Sequence, residues 1–190
     1  MTTNIMIAGV GGQGSLLASR ILGSAFLSLG KDVKVSEVHG MSQRGGSVVT
    51  YVKYGDSVAS PVICRGEADF LISFEMLEAA RWLPYLKKDG VVVTSTQKIE
   101  PMPVIMGAKE YPENLLEKIE KAGVKLMHAD ALAIAEECGS SKASNVVLIG
   151  MFAKHSDIPK EVFLKAVTDC VPEKFRELNI KAFERGYALD

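Results

Sequence analysis

The residues best suited to chemistry lie in one short connection, Ser36 to Ser47, reading SEVHGMSQRGGS. It holds Glu37, His39, Gln43 and Arg44 beside Gly40, Gly45 and Gly46, with apolar runs on either side. Charged, glycine-rich connections carry recognition chemistry, because a loop can vary while its scaffold stays fixed. A second cluster stands near the start, Gly9-Val10-Gly11-Gly12-Gln13-Gly14, and matches G-x-G-x-x-G. Glycines in such a turn let backbone approach closely, and the following helix start favours a phosphate. Glu37 follows Gly14 by 23 residues, where a dinucleotide fold places an acid on the ribose.

The elements that must position these residues temper that reading. Asn4–Val10 is a near-continuous apolar run, as in a strand buried on both faces. Ser15–Leu29 has helical spacing and ends at Gly30. A dinucleotide fold would now need a crossover helix, which takes roughly 10–12 residues. Only His39 to Gly46 separate the strand-like runs Val33–Val38 and Ser47–Tyr54, so these should pair antiparallel and turn the loop away from a ribose.

Further strands are expected at Asp69–Phe74, at Val91–Thr94 after a turn closed by Gly90, and at Val124–Met127. Helices are expected at Glu75–Leu83, Pro112–Ala122 and Ala129–Glu137, with Glu75 and Glu78 as first-turn acids. Residues 98–107, with Pro101 and Pro103, read as irregular or as an edge strand. The last third is helical, and Asn145–His155 is apolar nearly all round, so it should be buried in the core or under a partner. The expectation is an α/β, Rossmann-like fold. It has a mostly parallel sheet flanked by helices, an antiparallel hairpin and a helical C-terminal part, in one domain spanning 1–190.

Composition narrows the function. The 190 residues are 47% hydrophobic and 24% charged, ordinary values for a globular protein with a sizeable core. A formal net charge of -1 argues against nucleic-acid binding by bulk electrostatics. No apolar run reaches the roughly 18 residues of a membrane span, and the start lacks a signal-peptide pattern, so a cytoplasmic protein is expected. Cys64, Cys138 and Cys170 have neither C-x-x-C nor cluster spacing, and His39, His128 and His155 form no zinc pattern. No metal site is expected.

Several stretches together resemble a known family: GVGGQG, SEVHGMSQRGGSV, SPVI, GEADFLISFEMLEAAR, NVVLIGMFA and the VPEKFRELNIKAFERGY ending. They are similar to the gamma-type domain of the 2-oxoacid:ferredoxin oxidoreductases, nearest the small subunit of the indolepyruvate branch. The likeness runs over essentially the whole chain. Ser15 departs from it, standing where the family usually has an apolar residue, and is suited to cap a helix.

The resemblance implies oxidative decarboxylation of an arylpyruvate with coenzyme A, giving acyl-CoA, carbon dioxide and reduced ferredoxin. Such chemistry needs an electron sink and one-electron carriers. The chain has no thiamine-type G-D-G…N run and no cluster-ligand cysteines. The resemblance therefore places thiamine pyrophosphate and iron–sulfur clusters in a larger partner subunit, through which ferredoxin is reached. This chain would hold no tightly bound cofactor, would be silent alone, and would border the active site and help receive coenzyme A. Gly9, Gly11, Gly12, Gln13 and Gly14, with Gly45 and Gly46, would serve the coenzyme, their amides suiting its phosphate. Arg44 would meet a phosphate or carboxylate, and Glu37, His39 and Gln43 would hold the loop or face the partner. An isolated chain is expected to self-associate through apolar surface, with Asn145–Phe152 the motive. Two alternatives stay open: a stand-alone NAD- or flavin-binding oxidoreductase, and a nucleotide-binding module.

Overall fold

A computed structural model describes residues 2–38 and 46–189. His39, Gln43, Arg44 and Gly45 lie outside the described residues. Six strands form one sheet: β1 (Thr2–Val10), β2 (Asp32–Val38), β3 (Ser47–Gly55), β4 (Ala68–Ser73), β5 (Leu86–Ser95) and β6 (Lys125–Ala129). Their order is β2-β3-β1-β4-β5-β6. β1, β4, β5 and β6 run parallel, whereas β3 is antiparallel to both its neighbours. The expected hairpin is present, with Val38 opposite Val49. The sheet adds something to it. β3 also pairs with β1 along its full length, from Thr2 opposite Gly55 to Val10 opposite Ser47, and so lies between β1 and β2.

Side chains alternate along a strand, and β1 shows it. Ile5 and Ile7 pack into one cluster with helices α1 (Ser15–Ser28), α5 (Ala131–Glu137), α6 (Ser144–Lys154), α7 (Lys160–Cys170) and α8 (Arg176–Tyr187). Met6 and Ala8 face the other way, toward Ala79 of α2 (Met76–Trp82) and Ile119 of α4 (Leu115–Lys121). A helical layer thus covers each face. All of Asn145–Ala153 is buried, and α6 lies against the sheet inside the chain's own core. That corrects the motive for self-association: no partner is needed to cover this helix.

Two local expectations also change. β5 begins at Leu86, and Gly90 lies within it rather than closing a turn before it. A Cβ on Gly90 would stand 2.6 Å from the Leu86 side chain, so the strand can curl there only without one. Residues 98–107 hold neither a strand nor wholly irregular chain, but a short helix, α3 (Met102–Ile105), with Pro103 in its first turn. Proline is tolerated there because its missing N–H would have no partner.

Candidate functional site

α1 leaves β1 toward one face of the sheet, and α2 leaves β4 toward the other. Between two such strands the carboxyl edge opens into a crevice, the usual ligand position in open α/β sheets. A cavity of about 320 Å³ lies there, lined by Val10, Gly46, Ser47, Glu75, Leu77, Glu78 and Arg81, with residues 99–103 as its outer wall.

The glycine turn meets the second loop directly, since Gly11 N donates to Gly46 O at 3.0 Å. This amide is therefore already engaged within the chain, and Gly11 does not present it for the phosphate contact expected of it. Gly12 adopts φ +100 and would have open space beside a Cβ, while Gly14 caps α1 at φ +85. Ser15 does not cap the helix; it is the first helical residue, and the cap position has no side-chain bond. Gly9 is needed for packing, because a Cβ would come 2.9 Å from Gln13 Oε1 and 3.1 Å from the Phe74 ring.

Gln13 is turned inward. Its Oε1 accepts from Val10 N at 2.7 Å, and its Nε2 donates to Phe74 O at 3.0 Å and to Gln97 Oε1 at 2.9 Å. The backbone partners fix which end is oxygen. The carboxamide thus ties together the carboxyl ends of β1, β4 and β5. Asn145 supports the same turn from α6: its Nδ2 donates to Gly14 O at 3.0 Å, and a Cβ on Gly14 would lie 2.3 Å from that nitrogen.

Glu37 is placed elsewhere. Ser19 Oγ of α1 donates to it at 3.3 Å, and it lines a separate groove of about 620 Å³ with Leu16, Arg20, Gly23, Leu27 and Val35. β3 stands between its strand and the glycine turn. Strands lie about 4.8 Å apart, so an acid on β2 is one strand farther from that turn than the ribose position of a dinucleotide fold. The G-x-G-x-x-G match and Glu37 do not form one site.

Three charged residues of the cavity wall escaped the sequence reading as site residues. Glu75 is 1% exposed. Its Oε2 accepts from Glu78 N at 2.9 Å, capping α2, while Oε1 accepts from Ile99 N at 3.1 Å and from the Tyr111 hydroxyl. Burial, and then the Glu75 carboxylate, hold the Tyr111 hydroxyl well above its usual pKa, so it stays protonated and donates. Glu78, also buried, accepts from Arg81 Nε at 3.0 Å, from Trp82 Nε1 at 3.2 Å and from Ser47 Oγ. The signal in SFEMLEAAR was its spacing. An acid directly at the end of a buried strand, another three residues on and an arginine three beyond share one helix face.

Among the described residues no group of His, Cys, Asp and Glu is arranged to hold a metal ion. The site offers backbone amides, a half-exposed guanidinium and two carboxylates engaged with internal donors. It can bind and orient a ligand.

The family described as pyruvate ferredoxin/flavodoxin oxidoreductase matches residues 4–189. The chain is 44% identical over 188 residues to the indolepyruvate oxidoreductase subunit IorB of Thermococcus kodakarensis, covering 96% of this chain and 93% of that protein. It is also 44% identical, over 190 residues, to the IorB subunit of Pyrococcus horikoshii, with 96% and 93% covered. Among solved structures, the keto/oxoacid ferredoxin oxidoreductase gamma subunit of Geobacter sulfurreducens superposes with a TM-score of 0.73 at 26% identity, covering 97% of this chain and 96% of that one.

Proposed function

The chain belongs to the pyruvate ferredoxin/flavodoxin oxidoreductase family, and we propose that it is the small, gamma-type subunit of an indolepyruvate-type enzyme, working as one domain over 1–190. The enzyme converts an arylpyruvate and coenzyme A to acyl-CoA and carbon dioxide and passes electrons to ferredoxin. The observation that carries this is 44% identity to an indolepyruvate oxidoreductase subunit over nearly the whole of both chains. Thiamine pyrophosphate and iron–sulfur clusters, which supply the electron sink and the electron path, belong in this reading to a larger partner subunit. No helix among the described residues is long and apolar enough to cross a membrane, which agrees with work in the cytoplasm.

This chain's part is to wall the active site and receive coenzyme A at the carboxyl edge. Amides at Gly12 and Gly14 favour a phosphate beside the start of α1. Arg81, held by Glu78 through Nε, keeps its terminal nitrogens for a carboxylate or phosphate, a fork that suits either group. Arg44 has the same role on the neighbouring connection. Bare apolar side chains at Leu16, Leu27, Val35 and Val38, and at Met102, Ile105 and Met106, support burial against another subunit.

Reconstitution with the large subunit tests the reading. Arg44→Ala is expected to melt within a few degrees of the parent, and Arg81→Ala lower, because buried Glu78 then loses its cation. Each should cut turnover of the assembled enzyme at least about tenfold, one lost charge-assisted contact. Full activity in both assembled variants would remove the arginine roles. Carbon dioxide release by this chain alone with thiamine pyrophosphate would remove the subunit reading.

A further inference from the structure

Residues 96–114 leave the end of β5, form α3 and return to α4, making a strap over the carboxyl edge. Its inner side supplies Ile99, Pro101, Met102 and Pro103 to the cavity wall. Its outer side is bare, with Ile105 63% and Met106 73% exposed. A segment that buries so little of itself opens readily unless it is tied down.

Gln97, at the strap's root, is held by Met76 N and Gln13, and beyond it two ties meet at one oxygen. Glu75 Oε1 takes the amide of Ile99 from the near limb and the hydroxyl of Tyr111 from the far limb. The same carboxylate is held to the start of α2 through Glu78 N, and Ser73 Oγ donates to the Glu75 carbonyl at 2.7 Å. Among the described residues Glu75 pairs with no cation, so its buried charge is met by neutral donors alone. Lys98 lies over the Tyr111 ring, 4.4 Å from its centre, and flanks this far tie. A buried carboxylate without a counter-ion is costly unless its hydrogen bonds are complete. Here completing them requires both limbs of the strap in place.

We propose that Glu75 is a positioning residue for the reaction: by gathering Ile99 N and the Tyr111 hydroxyl on one oxygen it clasps the strap shut and holds the cavity's outer wall in place. The inference rests on the reading of this cavity as the ligand-binding wall. Tyr111 is the detachable half of the clasp. Tyr111→Phe keeps the ring and the Lys98 contact and deletes only the donor.

Amide exchange on the isolated chain tests the clasp without any assay of function. Tyr111→Phe should speed exchange in peptides spanning 99–110 by about fivefold, the weight of one hydrogen bond, while helices α6 and α8 exchange as before. Unchanged strap exchange would overturn the proposal. The assembled enzyme tests the positioning. Tyr111→Phe should raise the KM of coenzyme A or of indolepyruvate by about fivefold, with kcat within about twofold; Tyr111→Ala should do more. Faster strap exchange with neither KM moved would reduce the clasp to fold maintenance and overturn the positioning role. An assembled parent enzyme that turns over no 2-oxoacid would instead remove the functional reading, and exchange would still decide the clasp.

Discussion

Gln13 shows how much of this site depends on the direction of one side chain. Its carboxamide satisfies Val10 N, Phe74 O and Gln97 Oε1 in the partly buried floor of the site. Three such bonds at about 1 kcal/mol each predict that Gln13→Ala loses about 2–4 kcal/mol in urea unfolding. Gln13→Glu is the sharper test. It keeps an oxygen toward Val10 N and lets the Gln97 amide turn its NH2 inward. But it sets a carboxylate oxygen against Phe74 O, which can only accept, so at neutral pH it should still cost at least about 1 kcal/mol. Losses below about 0.5 kcal/mol in both would show that the turn stands without the clamp. The sequence reading placed Gln13 among ligand contacts. Its residue type was legible, but its partners, 61 and 84 residues away, were not. Glu75 and Glu78 show the same limit, since the sequence alone marks them only as first-turn acids. The helix start is local, whereas the strap and Ser47 that complete their hydrogen bonds come from distant chain.

At the scale of elements, two glycines let α6 and α8 cross at backbone contact. A Cβ on Gly150 would lie 2.2 Å from Phe183 O, and one on Gly186 would lie 1.9 Å from Val147 O. Neither carbonyl can yield without parting the helices, so Gly150→Ala and Gly186→Ala should each cost at least about 2 kcal/mol. Gly23 of α1 predicts the opposite sign. Its nearest neighbour would be Val35 Cγ2 at 3.9 Å, so Gly23→Ala should stabilise by about 0.5–1 kcal/mol. Thermal melting of the three variants checks both signs, and a stabilised Gly150→Ala would contradict the crossing. The antiparallel hairpin was legible because eight residues cannot contain a crossover. The place of β3 was harder to see, though the signal existed. Asp32–Val38 alternates as an edge strand does, whereas Val48, Val49 and Val52 point apolar side chains to both faces, as an inner strand does.

For the whole molecule, bare apolar surface gathers in two places. One is the groove of Leu16, Leu27 and Val35, and the other is the outer side of α3. Purified alone, the chain should self-associate in light scattering at micromolar concentration, and Leu27→Glu should weaken that association. A monomer at every concentration would show that neither patch is sticky. The helix that first suggested exposed apolar surface, α6, is the most deeply buried one. Its all-round apolar pattern was legible, but a pattern cannot say whether the cover comes from the same chain.

The bond from Asn145 to Gly14 spans 131 residues, and it sets an order of events during synthesis. The glycine turn is among the first segments to leave the ribosome, yet its last support arrives only with the start of α6. At roughly 5–20 residues per second, the turn waits on the order of ten seconds for that support. A nascent chain stopped short of Asn145 would have its hairpin residues and α1 but a turn without its brace. The fully braced glycine turn is thus a late product of translation, and a report that the carboxyl third has docked.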